Sequence, residues 1–198
     1  MRTEDDSFIE PAWSAPLDAA AALRKIPEDA SVAGMFLAPL SEGAKKLGTV
    51  LPSARDRYLP FQFYPMREHA KLMVEAAAVL FPKVPLRTAL RKFGKLAPRS
   101  MLESTIGRVV LGSASNVEQT LAAMVRTYPL HIRPSQAELT RFTPGRAIVR
   151  LTDVYYFLDS HHVGAFEGAM YFAGKRQTHV RIRVASTSAA DFLIAWET

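Results

Sequence analysis

The sequence predicts an α+β fold, with a helical N-terminal part and an antiparallel sheet in the C-terminal part, on three observations. Apolar residues recur at three- and four-residue spacing over much of the chain as far as Pro129. After Pro134 the period changes to alternation, with Thr143-Pro144-Gly145 as a turn between two extended runs. One further helical stretch separates that hairpin from two closing strands, so the second part reads strand, strand, helix, strand, strand.

The elements follow in order. The first 15 residues, with Pro11 and Pro16 around Trp13, read as an irregular arm whose Phe8, Ile9 and Trp13 can dock on the body. Leu17 to Ile26 reads as a short alanine-rich helix stopped by Pro27. Residues 1–30 are taken as this arm and helix, and 31–198 as a single domain. Ser31 is the expected N-cap of a helix that ends at Lys45-Lys46 and Gly48. Prolines 52, 60 and 65 among Tyr58, Phe61, Phe63 and Tyr64 make an extended connection. Met66 to Phe81 is the clearest amphipathic helix, with Leu72, Met73, Ala76, Val79 and Leu80 on one face. Pro85 opens a basic helix that should end near Gly94, and a further helix from Pro98 carries Met101, Leu102, Ile106 and Val109. Ser115 or Asn116 caps a helix with Val117, Leu121, Met124 and Val125, stopped before Pro129. Ala137 to Phe142 then pairs with Ala147 to Val154, residues 160–173 return to helical spacing, and strands over Val180–Val184 and Phe192–Trp196 close the chain.

Composition narrows the chemistry. The chain has 198 residues, 48% of them hydrophobic and 22% charged, which suffices for one sizeable core. Cysteine is absent, which removes disulfides, thiolate metal sites and cysteine nucleophiles. No apolar run approaches the roughly 20 residues that span a bilayer, and the acidic start Glu4-Asp5-Asp6 is unlike a signal peptide, so a soluble cytoplasmic protein is expected. HExxH, P-loop, GxSxG and GxGxxG patterns are missing, so a non-enzymatic protein without metal or cofactor is expected. His161-His162 is the one histidine pair, and adjacent helical residues project too differently to chelate well. Asp153 and Asp159 around Tyr155-Tyr156 could form a carboxylate pair or simply be solvated turn residues.

Charge is uneven. The net charge is +6, and the segment 83–108 carries Lys83, Arg87, Arg91, Lys92, Lys95, Arg99 and Arg108 against Glu103 alone. Arg87, Arg91, Lys95 and Arg99 fall four apart and form one row on a helix. Such a row is either a solvated face or an anion-binding ridge for nucleic acid or a cyclic dinucleotide, since arginine's planar fork suits phosphate.

Several segments resemble the haem-nitric-oxide/oxygen-binding (H-NOX) sensor domains. These are Phe63-Tyr64-Pro65, Leu72-Met73-Val74-Glu75-Ala76-Ala77, Leu90-Arg91-Lys92-Phe93-Gly94, Thr127-Tyr128-Pro129, the hairpin run Ala147 to Tyr156, and Gly164 to Gly174. The resemblance implies an H-NOX-like fold with a haem-binding histidine about two turns before the closing proline. Here that position is Leu121, and no histidine lies between Asn116 and Tyr128. The family's tyrosine-serine-arginine triplet for the haem propionates is also unmatched around Val154 to His161, so haem is not expected. The chain also resembles an uncharacterised family of myxobacterial proteins, through Pro11-Ala12-Trp13, Ile26-Pro27, Gly34-Met35-Phe36, Gly164 to Ala169 and Trp196.

The resulting expectation is a haem-free signalling or scaffold module. Between its helical and α+β parts Phe63, Met73, Met101, Leu121 and Met124 either line a pocket for an apolar small molecule or fill solid core. Partners in view are a protein or a small apolar ligand, with the basic row as the alternative site for a nucleotide or nucleic acid.

Overall fold

A computed structural model describes residues 4–103 and 116–197. The arm ahead of the first helix is docked: Phe8 is buried against Ile148 and Leu193, and Ile9 exchanges two backbone hydrogen bonds of 2.9 Å with Ile182. Helix α1 (Ala19–Arg24) is shorter than the expected span from Leu17 to Ile26, and Asp18 caps its start, accepting from the Ala21 amide at 2.8 Å.

Residues around Ser31 depart from the helical expectation. Strand β1 (Ser31–Ala33) is followed by a 3-10 turn at Gly34–Phe36 and then by α2 (Ala38–Lys46), which carries Pro39 in its first turn. Strand β1 pairs antiparallel with β2 (Phe63–Pro65), which leads straight into α3 (Met66–Leu80). Ser31 is therefore a strand residue, not an N-cap. Long-range pairing decides its conformation, and three residues are too few for a periodic signal.

Helix α4 (Leu86–Glu103) runs through both Gly94 and Pro98, which corrects the expected break between them. Proline normally disrupts a helix interior, so the continuity must come from what the helix packs on. Of the expected Pro98 helix, Ile106 and Val109 lie outside the described residues, as do Arg108 and Ser115. Asn116 caps α5 (Val117–His131), accepting from the Gln119 amide at 2.9 Å, and α5 continues past Pro129 to His131 instead of stopping before it. Strand β3 (Ile132–Arg133) then returns to β1 and completes a small sheet in the order β2-β1-β3.

The larger sheet appears where the period changes. It comprises β4 (Gln136–Thr143), β5 (Arg146–Thr152), β6 (Thr178–Val184) and β7 (Ala190–Trp196), all antiparallel, in the order β4-β5-β7-β6. Between β5 and β6 comes a π-helical turn, Leu158–His162, continued by α6 (Val163–Phe172). This matches the α+β order read from the sequence. Phe166 of α6 packs on Phe192 of β7 with ring centres 4.8 Å apart, while α4 lies against α6. Sheet, α6 and α4 thus stack as successive layers, with Leu72, Met73, Leu90, Leu121, Leu151 and Met170 sealed in the core.

Candidate functional site

Helices α4 and α6 touch backbone to backbone. A Cβ on Gly94 would collide with the His161 carbonyl, one on Gly164 with the Arg91 carbonyl, and one on Gly168 with the Lys95 carbonyl. Glycine is the residue that permits such an approach, so Gly94 is a contact point here and not a helix stop.

The basic row is spent on the same contact. Arg87 pairs with Asp159, and Arg91 forks onto Glu167, with Nε donating to Oε2 at 2.7 Å. Lys95 Nζ reaches the same carboxylate at 3.3 Å. Glu167 is buried, the Arg91 guanidinium lies 4.2 Å from the Trp13 ring centre, and Arg99 is engaged as well. Three of the four residues read as an anion-binding ridge, Arg87, Arg91 and Lys95, are thus directed at the chain's own carboxylates. Sequence spacing set the row correctly but did not reveal Asp159 and Glu167 opposite it. Asp153 and Asp159 form no pair, since Asp153 accepts from the Tyr155 hydroxyl at 3.4 Å while Asp159 holds Arg87.

Beyond Lys95 the same helices border a cavity of about 460 Å³. Its described wall takes Ala97, Pro98 and Met101 from α4, and Thr120, Met124, Tyr128 and His131 from α5. Helix α6 contributes Ala165, Ala169 and Phe172, and Tyr156 and His161 complete the inner end. A smaller cavity of about 280 Å³ lies among α2, α3 and α4, with Leu40, His69, Met73 and Phe93 in its wall. Phe36, Ala97 and His161 border both.

At that shared border stands a cluster of buried rings. The Tyr156 ring lies 5.4 Å from His69, 5.6 Å from His161 and 4.7 Å from His162, centre to centre. Phe157 has a left-handed backbone, φ 45°, and so turns the chain from β5 into the π-helical turn that carries His161 and His162 inward. Burial pushes the His69 and His161 imidazoles down to about 3, and His162 well below the usual range, so all three are neutral at neutral pH. The same burial raises Tyr128 and Tyr156, keeping both phenols protonated. The Tyr128 hydroxyl is hydrogen-bonded to Nδ1 of His162, and Nδ1 of His131 donates to the Thr127 carbonyl at 2.8 Å. Nδ1 of His69 and of His161 are sealed from solvent without a partner.

Met101 and Met124 stand on the larger cavity's wall and Met73 on the smaller one's. Leu121 is fully buried in the core, and Phe63 sits in β2 under the Arg133 guanidinium, 3.9 Å from its ring centre. Sequence reasoning did not place Tyr128, His131 or Tyr156 at the cavity, although Tyr128 and Tyr156 fall in segments it singled out. The signal that could have found the inner end was the density of rings in Tyr155-Tyr156-Phe157 and His161-His162.

In architecture the chain is an H-NOX-like α+β protein. Its structure superposes on an H-NOX protein from S. oneidensis in the Fe(II) state with TM-score 0.64 at 12% identity, covering 84% of this chain and 96% of that one. An unliganded Fe(II) H-NOX protein from K. algicida gives 0.61 at 13% identity, covering 84% and 97%. An oxygen-binding H-NOX domain related to soluble guanylate cyclases gives 0.60 at 12%, covering 83% and 93%. Likeness at these identities is one of fold. By sequence the chain belongs to the DUF2378 family, proteins of unknown function, whose pattern spans residues 25–197. No curated protein matches it significantly. Among the described residues no helix is long and apolar enough to cross a membrane.

Proposed function

We propose that this protein is a non-enzymatic sensing or scaffold module that takes up an apolar small molecule in the cavity between α4, α5 and α6. The observation that carries this reading is the cavity itself: about 460 Å³, walled by alanine, methionine and aromatic side chains with a few neutral polar groups at its inner end. The H-NOX likeness supports it, because the neighbours include an oxygen-binding domain and Fe(II) proteins of the same fold. No Asp, Glu, Lys or Arg is among the described wall residues, and burial lowers its imidazoles His131 and His161 and raises its phenols Tyr128 and Tyr156, so the wall presents neutral groups suited to an uncharged guest.

Haem is the group the fold implies, and it requires an axial donor for iron and partners for two propionates. An imidazole is on offer, since His131 and His161 border the cavity although α5 has none between Asn116 and Tyr128. The propionates are not provided for: the described wall holds no cation, and Arg87, Arg91 and Lys95 are taken by Asp159 and Glu167. The described residues do not fit the whole group, and no role here runs through it.

The test uses naphthalene as an apolar probe. Wild-type protein is expected to bind it with one-to-one saturation, and Ala169→Phe, which grows a ring into the cavity, is expected to abolish uptake. Absence of binding by the wild type, or binding indifferent to Ala169→Phe, would overturn the reading. A sharp Soret band on addition of one equivalent of haem would overturn its haem-free part.

A further inference from the structure

The wall of the larger cavity divides its polar groups into two sets. Tyr128 is held by His162, His131 by the Thr127 carbonyl, and the Thr120 hydroxyl donates to the Asn116 carbonyl at 3.0 Å. Tyr156 and His161 are different. Their rings lie 5.6 Å apart on the same wall and both residues are buried; Nδ1 of His161 is sealed without a partner, and the side-chain hydrogen bonds among the described residues leave Nε2 of His161 and the Tyr156 hydroxyl open to a guest. Buried polar groups are ordinarily satisfied; His69, Ser160 and His162 also carry a sealed atom without a partner, but of these neighbouring residues only Tyr156 and His161 border this cavity, which marks where a guest's polar atom belongs.

We infer that the guest is an uncharged, largely apolar molecule bearing one oxygen function, an alcohol, phenol or ketone, which Tyr156 and His161 hold at the inner end of the cavity. This rests on the cavity being the ligand site and adds the guest's chemical class and its orientation. The tyrosine supplies an O–H that can donate to the guest's oxygen. A neutral imidazole has one N–H and one bare nitrogen, so His161 can accept from a guest hydroxyl or donate to a carbonyl. A charged head is disfavoured because the described wall has no ion to pair with it, and an unpaired buried charge is far more costly than an unpaired dipole. Acidity of the imidazolium supports the same assignment, since burial keeps His161 neutral well below neutral pH.

Three probes with one apolar body separate the possibilities: naphthalene, 2-naphthol and 2-naphthoate, each titrated calorimetrically into wild-type protein. The expected result is 2-naphthol binding at least tenfold tighter than either of the others. Tyr156→Phe is expected to weaken 2-naphthol at least fivefold and leave naphthalene unchanged, and His161→Phe to remove the remaining preference. Equal affinity for naphthalene and 2-naphthol in the wild type would overturn the oxygen assignment while leaving the cavity reading intact. Tight binding of 2-naphthoate would overturn the exclusion of charge, and parallel loss of both neutral probes in Tyr156→Phe would overturn the assigned role of its hydroxyl. Failure of all three probes on the wild type would instead overturn the cavity reading on which the inference rests.

Discussion

One helix, α6, presents a closed contact on one side and an open one on the other. Gly164 and Gly168 meet the backbone of α4 with no room for a methyl group, whereas Ala165 and Ala169, each one residue further on, border a cavity of about 460 Å³. The same holds along α4, where Arg91, Gly94 and Lys95 are locked onto α6 and Ala97, Pro98 and Met101 are cavity wall. Steric contact and ion pairing are concentrated in the closed half, which frees the other half to leave space unfilled. A cavity costs stability through lost contacts, so it persists most readily beside a contact that does not give way.

The largest expected effect comes from breaking the closed half. Gly94→Ala would drive a methyl group into the His161 carbonyl, and since both partners are backbone the strain has nowhere to relax. A loss of about 3 kcal/mol is expected from overpacking of this kind, read as the shift in urea midpoint. An unshifted midpoint would mean that the two helices are not in backbone contact.

Acid should act next, at the ring cluster between the halves. The folded state keeps His69 and His161 neutral down to about pH 3, while in the unfolded chain they take a proton below about 6.5. The unfolded state therefore binds more protons between those values, so stability is full above pH 6.5 and falls as the pH drops toward 3. Each ring is expected to remove about 1.4 kcal/mol at pH 5.5. His161→Phe should roughly halve the slope that these two rings contribute to urea stability over that range, and an unchanged slope would show that its imidazole already charges in the folded protein.

The ion pairs should rank by burial. Glu167 has 7% of its side chain exposed and Arg91 has 29%, so losing Arg91 leaves the deeper charge with Lys95 alone, at 3.3 Å. Arg91→Met is expected to cost about 2 kcal/mol and Glu167→Gln less, in thermal or urea unfolding. The reverse order would place the guanidinium as the more deeply buried partner. Smallest of all should be Ala169→Phe, because its ring enters space that is already there. A change within about 1 kcal/mol is expected, and a loss as large as that from Gly94→Ala would erase the distinction between the two halves.

What the sequence disclosed follows from range. Asn116 as a cap and Thr143-Pro144-Gly145 as a turn are local chemistry, and alternation marked Val180 and Ile182 as the buried face of β6, while Val184 at the strand's end is exposed. Strand β1 was hidden because its partners are Phe63–Pro65 and Ile132–Arg133, far along the chain. Gly94 was misread because a helix stop and a close helix crossing call for the same residue, and only the presence of Gly164 and Gly168 opposite tells them apart. The cavity was half legible: Met101 and Met124 have the helical spacing of core residues, and nothing in that spacing says whether the space before them is filled.

The pairing of Ile9 with Ile182 has a consequence for the sheet as a whole. Strands β4 and β6 are its two borders, where unpaired amides and carbonyls can recruit a strand from another molecule. Strand β4 carries an irregularity between Leu139 and Arg141 that interrupts a regular template. Strand β6 has no such interruption in its pairing with β7, and the arm occupies its outer rim instead, with Phe8 beneath the Arg183 guanidinium at 4.6 Å. The arm thus acts as a guard against edge-to-edge aggregation, a role set by its backbone hydrogen bonds as much as by its side chains.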